Sequence, residues 1–423
     1  MKLKDFYNGK ELKAYQYLGA HVEKKGVTFR TYAPKAGNVS LIGEFNDWTD
    51  TPMKRVQDGQ FFEVTVPDAK PGQMYKYRIY HRDGRFIDHC DPYGFHAEMR
   101  PANASIIFDM NHYHFHDKEW LKQRTCDLTK PINIYELHFG SWRKKEDTTD
   151  PSGWYRYEEL GDLLIPYLNE YGYNYVEIMP LNEYPSDESW GYQATGFFSP
   201  TSRYGNPDGL RAFVDQCHQH GIGVIMDFVP VHFAVNDYAL WNYDGTPLYE
   251  NAAFGDGRSE WGSNNFNHSR GDVCSFLSSA AYYWLKEYHI DGLRMDAVGN
   301  LIYRQGDQNR GENTHSIRFV QEMNKALKKS MPDIMLFAED SSSWLGVTKP
   351  VEKKGLGFDY KWDLGWMNDT LSYFQTDFKA RSRSEVYHKL TFSMMYYYNE
   401  QFVLPFSHDE VVHGKKTIID KMA

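Results

Sequence analysis

The chain changes its hydrophobic rhythm once. Up to about residue 115, apolar and polar positions alternate over short runs broken by Pro, Gly, Asn and Asp. These runs are GVTFRTYAP (Gly26 to Pro34), NVSLIGEFNDW (Asn38 to Trp48), GQFFEVTVP (Gly59 to Pro67) and QMYKYRIYHRDG (Gln73 to Gly84). A period of two puts successive side chains on opposite faces of a strand, and turn residues at this spacing predict a small β-sandwich. From about residue 131, apolar strand-like runs alternate with amphipathic helical stretches. The runs are INIYELHF (Ile132 to Phe139), NYVEIMPL (Asn174 to Leu181), GVIMDFV (Gly223 to Val229), DGLRMDA (Asp291 to Ala297), IMLFAED (Ile334 to Asp340) and QFVLPFSHDE (Gln401 to Glu410). Helices are predicted over 209–221, 275–289 and 316–330. Repeated strand and helix units over this length predict a parallel α/β architecture, a (β/α)₈ TIM-type barrel first and a doubly wound sheet second. The expected division is a β-sandwich over 1–115, a linker over 116–130 and a barrel over 131–423.

A chain of 423 residues has room for these two domains. Its net charge of −10, with no local Lys/Arg cluster, argues against nucleic acid as a partner. No run of eighteen apolar residues occurs, so no membrane span is expected, and the lysine-bearing N-terminus has no apolar core of a signal peptide. The four cysteines, Cys90, Cys126, Cys217 and Cys274, show no CxxC spacing. Reduced thiols and a cytoplasmic protein are expected. The 32 Tyr, 26 Phe and 11 Trp suit a packed core and sugar-stacking surfaces equally, so composition does not choose between them.

Four apolar runs end in an acid: Asp227, Asp296, Glu339 and Asp409. In an α/β barrel the carboxyl ends of the strands meet at one mouth, where active sites form. His232 lies five residues past Asp227, Arg294 two before Asp296, and His408 directly before Asp409. Like charges raise one another's pKa, so such a cluster needs a use. One use is a divalent cation. The other is glycosyl transfer, with one carboxylate as nucleophile and one carboxyl as acid/base, about 5–5.5 Å apart in a retaining mechanism. No DxDxDG-type ligand loop is present, which puts the glycosyl reading first. On the strand, Arg294 and Asp296 share a face, where the guanidinium would hold the carboxylate ionised and aimed.

DFVPVH (Asp227 to His232), GLRMDAV (Gly292 to Val298), AED (Ala338 to Asp340) and FSHDE (Phe406 to Glu410) resemble, in order and spacing, the four sequence regions of the α-amylase family of glycoside hydrolases. Within it the chain is most similar to the 1,4-α-glucan (glycogen) branching enzymes. That similarity rests on VEIMPLNEYPSDESWGYQATGFFSPTSRYG (Val176 to Gly205), AEDSSSW (Ala338 to Trp344), GFDYKWDLGWMNDTL (Gly357 to Leu371) and SHDEVVHGKK (Ser407 to Lys416). RTYAPKAGNVSLIGEFNDW resembles the immunoglobulin-like early-set β-sandwich, carbohydrate-binding-module-like, that precedes the barrel in branching and debranching enzymes.

The resemblance implies an enzyme of glycogen biosynthesis acting on an α-1,4-glucan, glycogen or amylose-like. It makes Asp296 the nucleophile, Glu339 the general acid/base and Asp409 the third carboxylate. Tyr192 (stacking beneath the ring), Asp227, His232, Arg294 and His408 become substrate-binding residues. No cofactor is implied. Val231 occupies a slot where amylases commonly carry Asn, so no metal is expected either. Two alternatives stay open: an amylase-type or debranching hydrolase with the same triad, and a non-catalytic glucan-binding fragment. The chain stops at GKKTIIDKMA, just after the seventh strand motif. A fragment or incomplete gene product is therefore expected, its barrel open, with a long unpaired strand edge and exposed apolar surface. His218 and His220, on a predicted helix, and Lys144 and Lys145, in a loop, are expected to be solvated surface. The oligomeric state is not legible in the sequence.

Overall fold

Two antiparallel sheets form the N-terminal sandwich in the computed structural model, which describes residues 1–146, 148–252, 255–412 and 414–422. In one sheet Gly19–Glu23, Gly26–Tyr32, Phe61–Val66 and Lys54–Val56 lie side by side. In the other the order is Thr51–Pro52, Asn38–Gly43, Met74–Tyr80 and Phe86–His89, with Ser105–Ile106 also pairing with Met74–Tyr80. The alternation read from the sequence is visible in Met74–Tyr80: Tyr75, Tyr77 and Ile79 are buried, whereas their neighbours are only half-buried. Gly26, at φ 117°, turns the first hairpin where an added Cβ would lie 2.3 Å from the Val66 carbonyl. No other residue fits there.

Seven parallel strands follow in one sheet, hydrogen-bonded in chain order. They are β1 (Ile134–Leu137), β2 (Tyr175–Ile178), β3 (Gly223–Phe228), β4 (Gly292–Met295), β5 (Met335–Ala338), β6 (Tyr360–Trp362) and β7 (Phe402–Val403). Helices α1 (Tyr157–Glu170), α2 (Pro207–Gln219), α3 (Gly271–Glu287) and α4 (Thr314–Ser330) each follow one of the first four strands. Helix α5 (Leu364–Gln375) follows β6. Strands running in unbroken chain order have no switch point, so the sheet is the curled half of a barrel and not a doubly wound one. β6 is absent from the sequence reading because three residues are too few to show a period. β7 is also shorter than its apolar run, so the edge it presents is two residues long. Exposed apolar side chains do occur in the C-terminal part of the chain: Phe378, Met395, Tyr398 and Ile419 are among them.

The helix starts follow their caps. The Asn206 side chain accepts from the Gly209 amide at 2.9 Å, with Pro207 in the first helical position, and Asn313 accepts from the Ser316 amide. Helix α3 is buried along nearly its whole length. The sheet side takes one face, and N-terminal residues grip it as well. Tyr32 donates to Asp272 at 2.8 Å and Ser275 to the Phe6 carbonyl at 2.8 Å.

One surface expectation fails. His220 and Lys144 are exposed, and Lys145 is half-buried against Glu159 at 2.6 Å, but His218 is buried. Leu210, Val214, Cys217 and His218 form one stripe of α2, at helical spacing i, i+4, i+7 and i+8. His218 therefore faces inward, between Asp117 and Asp291, at 2.8 Å from each. Asp117 immediately precedes a short helix, Lys118–Gln123, in the segment read as linker. Trp120 of that helix stacks on His218 and donates to Asp291 at 2.9 Å.

Candidate active site

The tips of β3, β4 and β5 place three carboxylates around one guanidinium. Asp227 of β3 and Arg294 of β4 are register partners, so they stand side by side. Arg294 Nη1 donates to Asp227 Oδ2 and to Asp296 Oδ1, both at 2.8 Å. The ladder continues one residue past the strands: the Asp296 amide donates to Phe228 O and the Glu339 amide to Met295 O, each at 3.0 Å. Immediately afterwards Ala297 takes the left-handed conformation, φ 51°. That is costly for a residue with a Cβ, by about 1–3 kcal/mol, and such strain gathers at functional turns. Its effect here is specific. The Ala297 amide turns onto Glu339 Oε2 at 2.7 Å, so one residue of backbone ties the Asp296 loop to the Glu339 carboxyl.

Tyr192, in the loop after β2, donates to Asp227 Oδ2 at 2.5 Å. Its ring stacks on His408, with centroids 5.7 Å apart and planes at 16°. His408 in turn meets both oxygens of Glu136, through its amide at 2.8 Å and its Nδ1 at 2.7 Å. Five sequence-predicted residues, Tyr192, Asp227, Arg294, Asp296 and His408, thus share one network, and Glu339 is tied to its edge.

The remaining two stand apart. Asp409 lies six residues past β7 on a short turn, its side chain 65% exposed, with His408 Nε2 at 3.4 Å. His232 is buried beside Trp261, with ring centroids 5.1 Å apart. Its Nδ1 has no hydrogen-bond partner among the described residues. Burial holds the His232 imidazole down at about 4, so it is neutral.

The electrostatics follow from burial first. Burial pushes Glu339 up to about 7; the Arg294 charge opposes that rise and the Asp296 charge adds to it. Burial likewise lifts Asp296 to about 6 against the pull of Arg294, with Asp227 and Asp409 pushing it further up. The sequence reading credited Arg294 with keeping Asp296 ionised; its pull is real, but desolvation outweighs it. Both carboxyls are thus lifted well above the ordinary carboxylate range, Glu339 the higher of the two. His408 is raised: burial disfavours its charge, but the hydrogen bond and charge of Glu136 prevail.

Three further residues belong here. Glu136 and Glu177 are acids inside the apolar strands β1 and β2, opposite one another in register. Glu177 is buried and stays protonated well above the carboxylate range, through burial and then the charges of Asp227 and Glu136. A charged residue amid an apolar strand was the signal for both. The third, Trp362, lies with its ring over Arg294.

A β-sandwich joined to a parallel α/β half-barrel, with paired carboxyls at the strand tips, defines a class: barrel enzymes that work at the carboxyl end of the sheet. The family model "Alpha amylase, catalytic domain" matches residues 102–244 and 260–404, and "Carbohydrate-binding module 48 (Isoamylase N-terminal domain)" matches 17–94. The 1,4-alpha-glucan branching enzyme GlgB of Fusobacterium nucleatum subsp. nucleatum is 48% identical over 99% of this chain and 67% of its own length. GlgB of Geobacillus stearothermophilus is 44% identical, over 99% of this chain and 66% of its own. A solved structure of a putative alpha amylase from Salmonella typhimurium shares the fold, with a TM-score of 0.67 and 24% identity, covering 89% of this chain and 59% of that one. The chain belongs to the α-amylase family and, within it, to the 1,4-alpha-glucan branching enzymes. It spans about two thirds of the length of these curated relatives.

Proposed function

We propose that this protein cuts α-1,4-glucosidic linkages by a retaining double displacement and transfers the released oligoglucan to a 6-hydroxyl, forming α-1,6 branches. The observation that carries this reading is the bridge of Arg294 Nη1 between Asp227 and Asp296, with Glu339 fixed on the next amide. In the first step Glu339 gives its proton to the glycosidic oxygen while an Asp296 oxygen attacks the anomeric carbon. The C–O bond breaks, and a glycosyl ester remains. In the second step the acceptor's 6-hydroxyl gives its proton to Glu339, and its oxygen displaces Asp296. Asp227, Arg294, His408 and Tyr192 hold the sugar being transferred, neutral His232 hydrogen-bonds it, and Asp409 reaches its hydroxyls from the rim. The four free thiols support a cytoplasmic setting. Among the described residues no helix is long and apolar enough to cross a membrane.

Incubation with amylose tests the activity. Branching lowers iodine staining with few new reducing ends, and a debranching enzyme then releases short chains. Reducing ends that rise in step with the loss of stain would make the protein a hydrolase. No change in stain or in reducing ends would leave a glucan-binding module. A pH profile tests the roles. Asp296 must be ionised, so turnover falls as pH drops through about 6; Glu339 must be protonated, so turnover falls as pH rises through about 7. The expected bell is narrow, with its maximum between those values. A flat profile from pH 5 to pH 8 would contradict the assignment.

A further inference from the structure

Arg294 joins the carboxylates of the site, yet among the described residues its hydrogen bonds run through one nitrogen. Nη1 makes the bonds to Asp227 and Asp296 and lies 3.4 Å from the Tyr192 hydroxyl. Nε is buried without a hydrogen-bond partner among the described residues. A planar ion held at one corner can swing about that corner. What lies against its plane is Trp362, whose ring centre is 4.3 Å from Cζ.

The strand explains how Trp362 arrives there. Along β6, Tyr360 stacks on Phe337 of β5, with centroids 5.0 Å apart and planes at 13°. Lys361 turns to the other face, donating to Asp340 at 2.8 Å and to Ser342 O at 3.1 Å. Trp362 returns to the face of Tyr360, two strands from Arg294. Its place is locked from both sides: by the Lys361 pair before it, and by Asp363 after it, which caps α5 at the Trp366 amide, 2.8 Å away.

We propose that Trp362 is a positioning residue, whose indole face sets the plane of the Arg294 guanidinium so that Nη1 bridges Asp227 and Asp296. This rests on the reading of Asp296 as nucleophile given above. In a desolvated site the negative face of an indole attracts a cation laid against it. An aliphatic side chain of similar bulk fills the space but offers no negative face. The guanidinium, with a buried N–H lacking an acceptor, then loses its reason to stay in that plane. Every charged neighbour makes its position matter. Asp227 faces the pair from β3, Glu177 from β2 and Glu136 from β1. Glu339 does so from β5, and His408 and Asp409 from beyond β7. Apart from His408 these charges are negative or absent, so displacing the guanidinium removes the main pull toward ionised Asp296.

Trp362→Leu is expected to lower kcat about tenfold or more while KM for amylose stays within about twofold. The acid limb of its pH profile is expected to move to higher pH. Trp362→Phe keeps an aromatic face and is expected to recover part of both. An unchanged acid limb in Trp362→Leu overturns the proposal, as does equal damage from Leu and Phe, which would reduce Trp362 to packing. A crystal structure of Trp362→Leu tests it without turnover: Arg294 is expected to leave Asp296, and a guanidinium still bridging both carboxylates overturns the proposal. If the parent protein does nothing to amylose, the branching reading falls, while the crystal structure still decides the role of Trp362.

Discussion

Asp296→Ala is expected to lose turnover on amylose by about ten-thousandfold or more, and Glu339→Gln by about a hundred- to ten-thousandfold, with both variants still binding the glucan. The two losses have different chemical origins. Without the Asp296 carboxylate no glycosyl ester forms, and water at that position is a poor substitute for an anion held by a guanidinium at 2.8 Å. Without a proton at position 339 the sugar leaving group must depart as an alkoxide. That step depends on the leaving group, which makes the assignments separable. A maltosyl fluoride carries a leaving group that needs no proton, so Glu339→Gln is expected to regain the first step with it. The base for the second step is then missing, and the glycosyl-enzyme accumulates, visible as an added glycan in the intact mass. Asp296→Ala is expected to show no adduct. An adduct on Asp296→Ala, or near-normal amylose turnover in either variant, would end the assignment.

The part of this site legible in the sequence is the part built on strand tips. Asp296 and Glu339 each follow a strand by one residue, and an apolar run that ends in an acid announces that geometry without any knowledge of the fold. Asp409 follows the same rule on paper but not in space. Its strand is two residues long, and Leu404 and Phe406 after it are exposed, so the apolar run there does not mark a buried strand. Glu136 and Glu177 are not marked by that pattern, because they lie within apolar runs and not at their ends. Trp362 could not be found by spacing at all. Its contact with Arg294 reaches from β6 across β5 to β4, and β6 itself is too short to betray a period. The overall fold was more legible than the site. Strand and helix order follows from many residues at once, while each contact in the site hangs on one.

His218 is a polar residue on the buried stripe of its helix, and it carries the largest stability effect expected outside the site. Both ring nitrogens meet carboxylates, Asp117 at 2.8 Å and Asp291 at 2.8 Å, so both must carry protons and the ring is an imidazolium. Burial alone would discharge it, but the charges and hydrogen bonds of Asp291 and Asp117 raise it to about 9. Asp117 is held well below the carboxylate range: its burial is outweighed by His218 and by His289 at 2.7 Å. The network clamps the segment around Asp117 and Trp120 onto β3 and β4, since Asp291 also accepts the Val224 amide at 2.7 Å. His218→Ala leaves two buried acids without their shared cation and is expected to cost about 3–5 kcal/mol in denaturant unfolding at pH 6.5. The pH dependence has a definite sign. A group whose folded pKa lies above its unfolded value of 6.5 stabilises fully below 6.5 and loses that contribution as pH rises toward 9. The contribution is about 3 kcal/mol for this shift. Denaturant titrations of parent and variant at pH 6.5, 7.5 and 9 should therefore converge as pH rises, because the parent gives up what the variant never had. A stability gap that stays constant across that range would mean that His218 is neutral in the folded protein and that packing alone holds the linker helix in place.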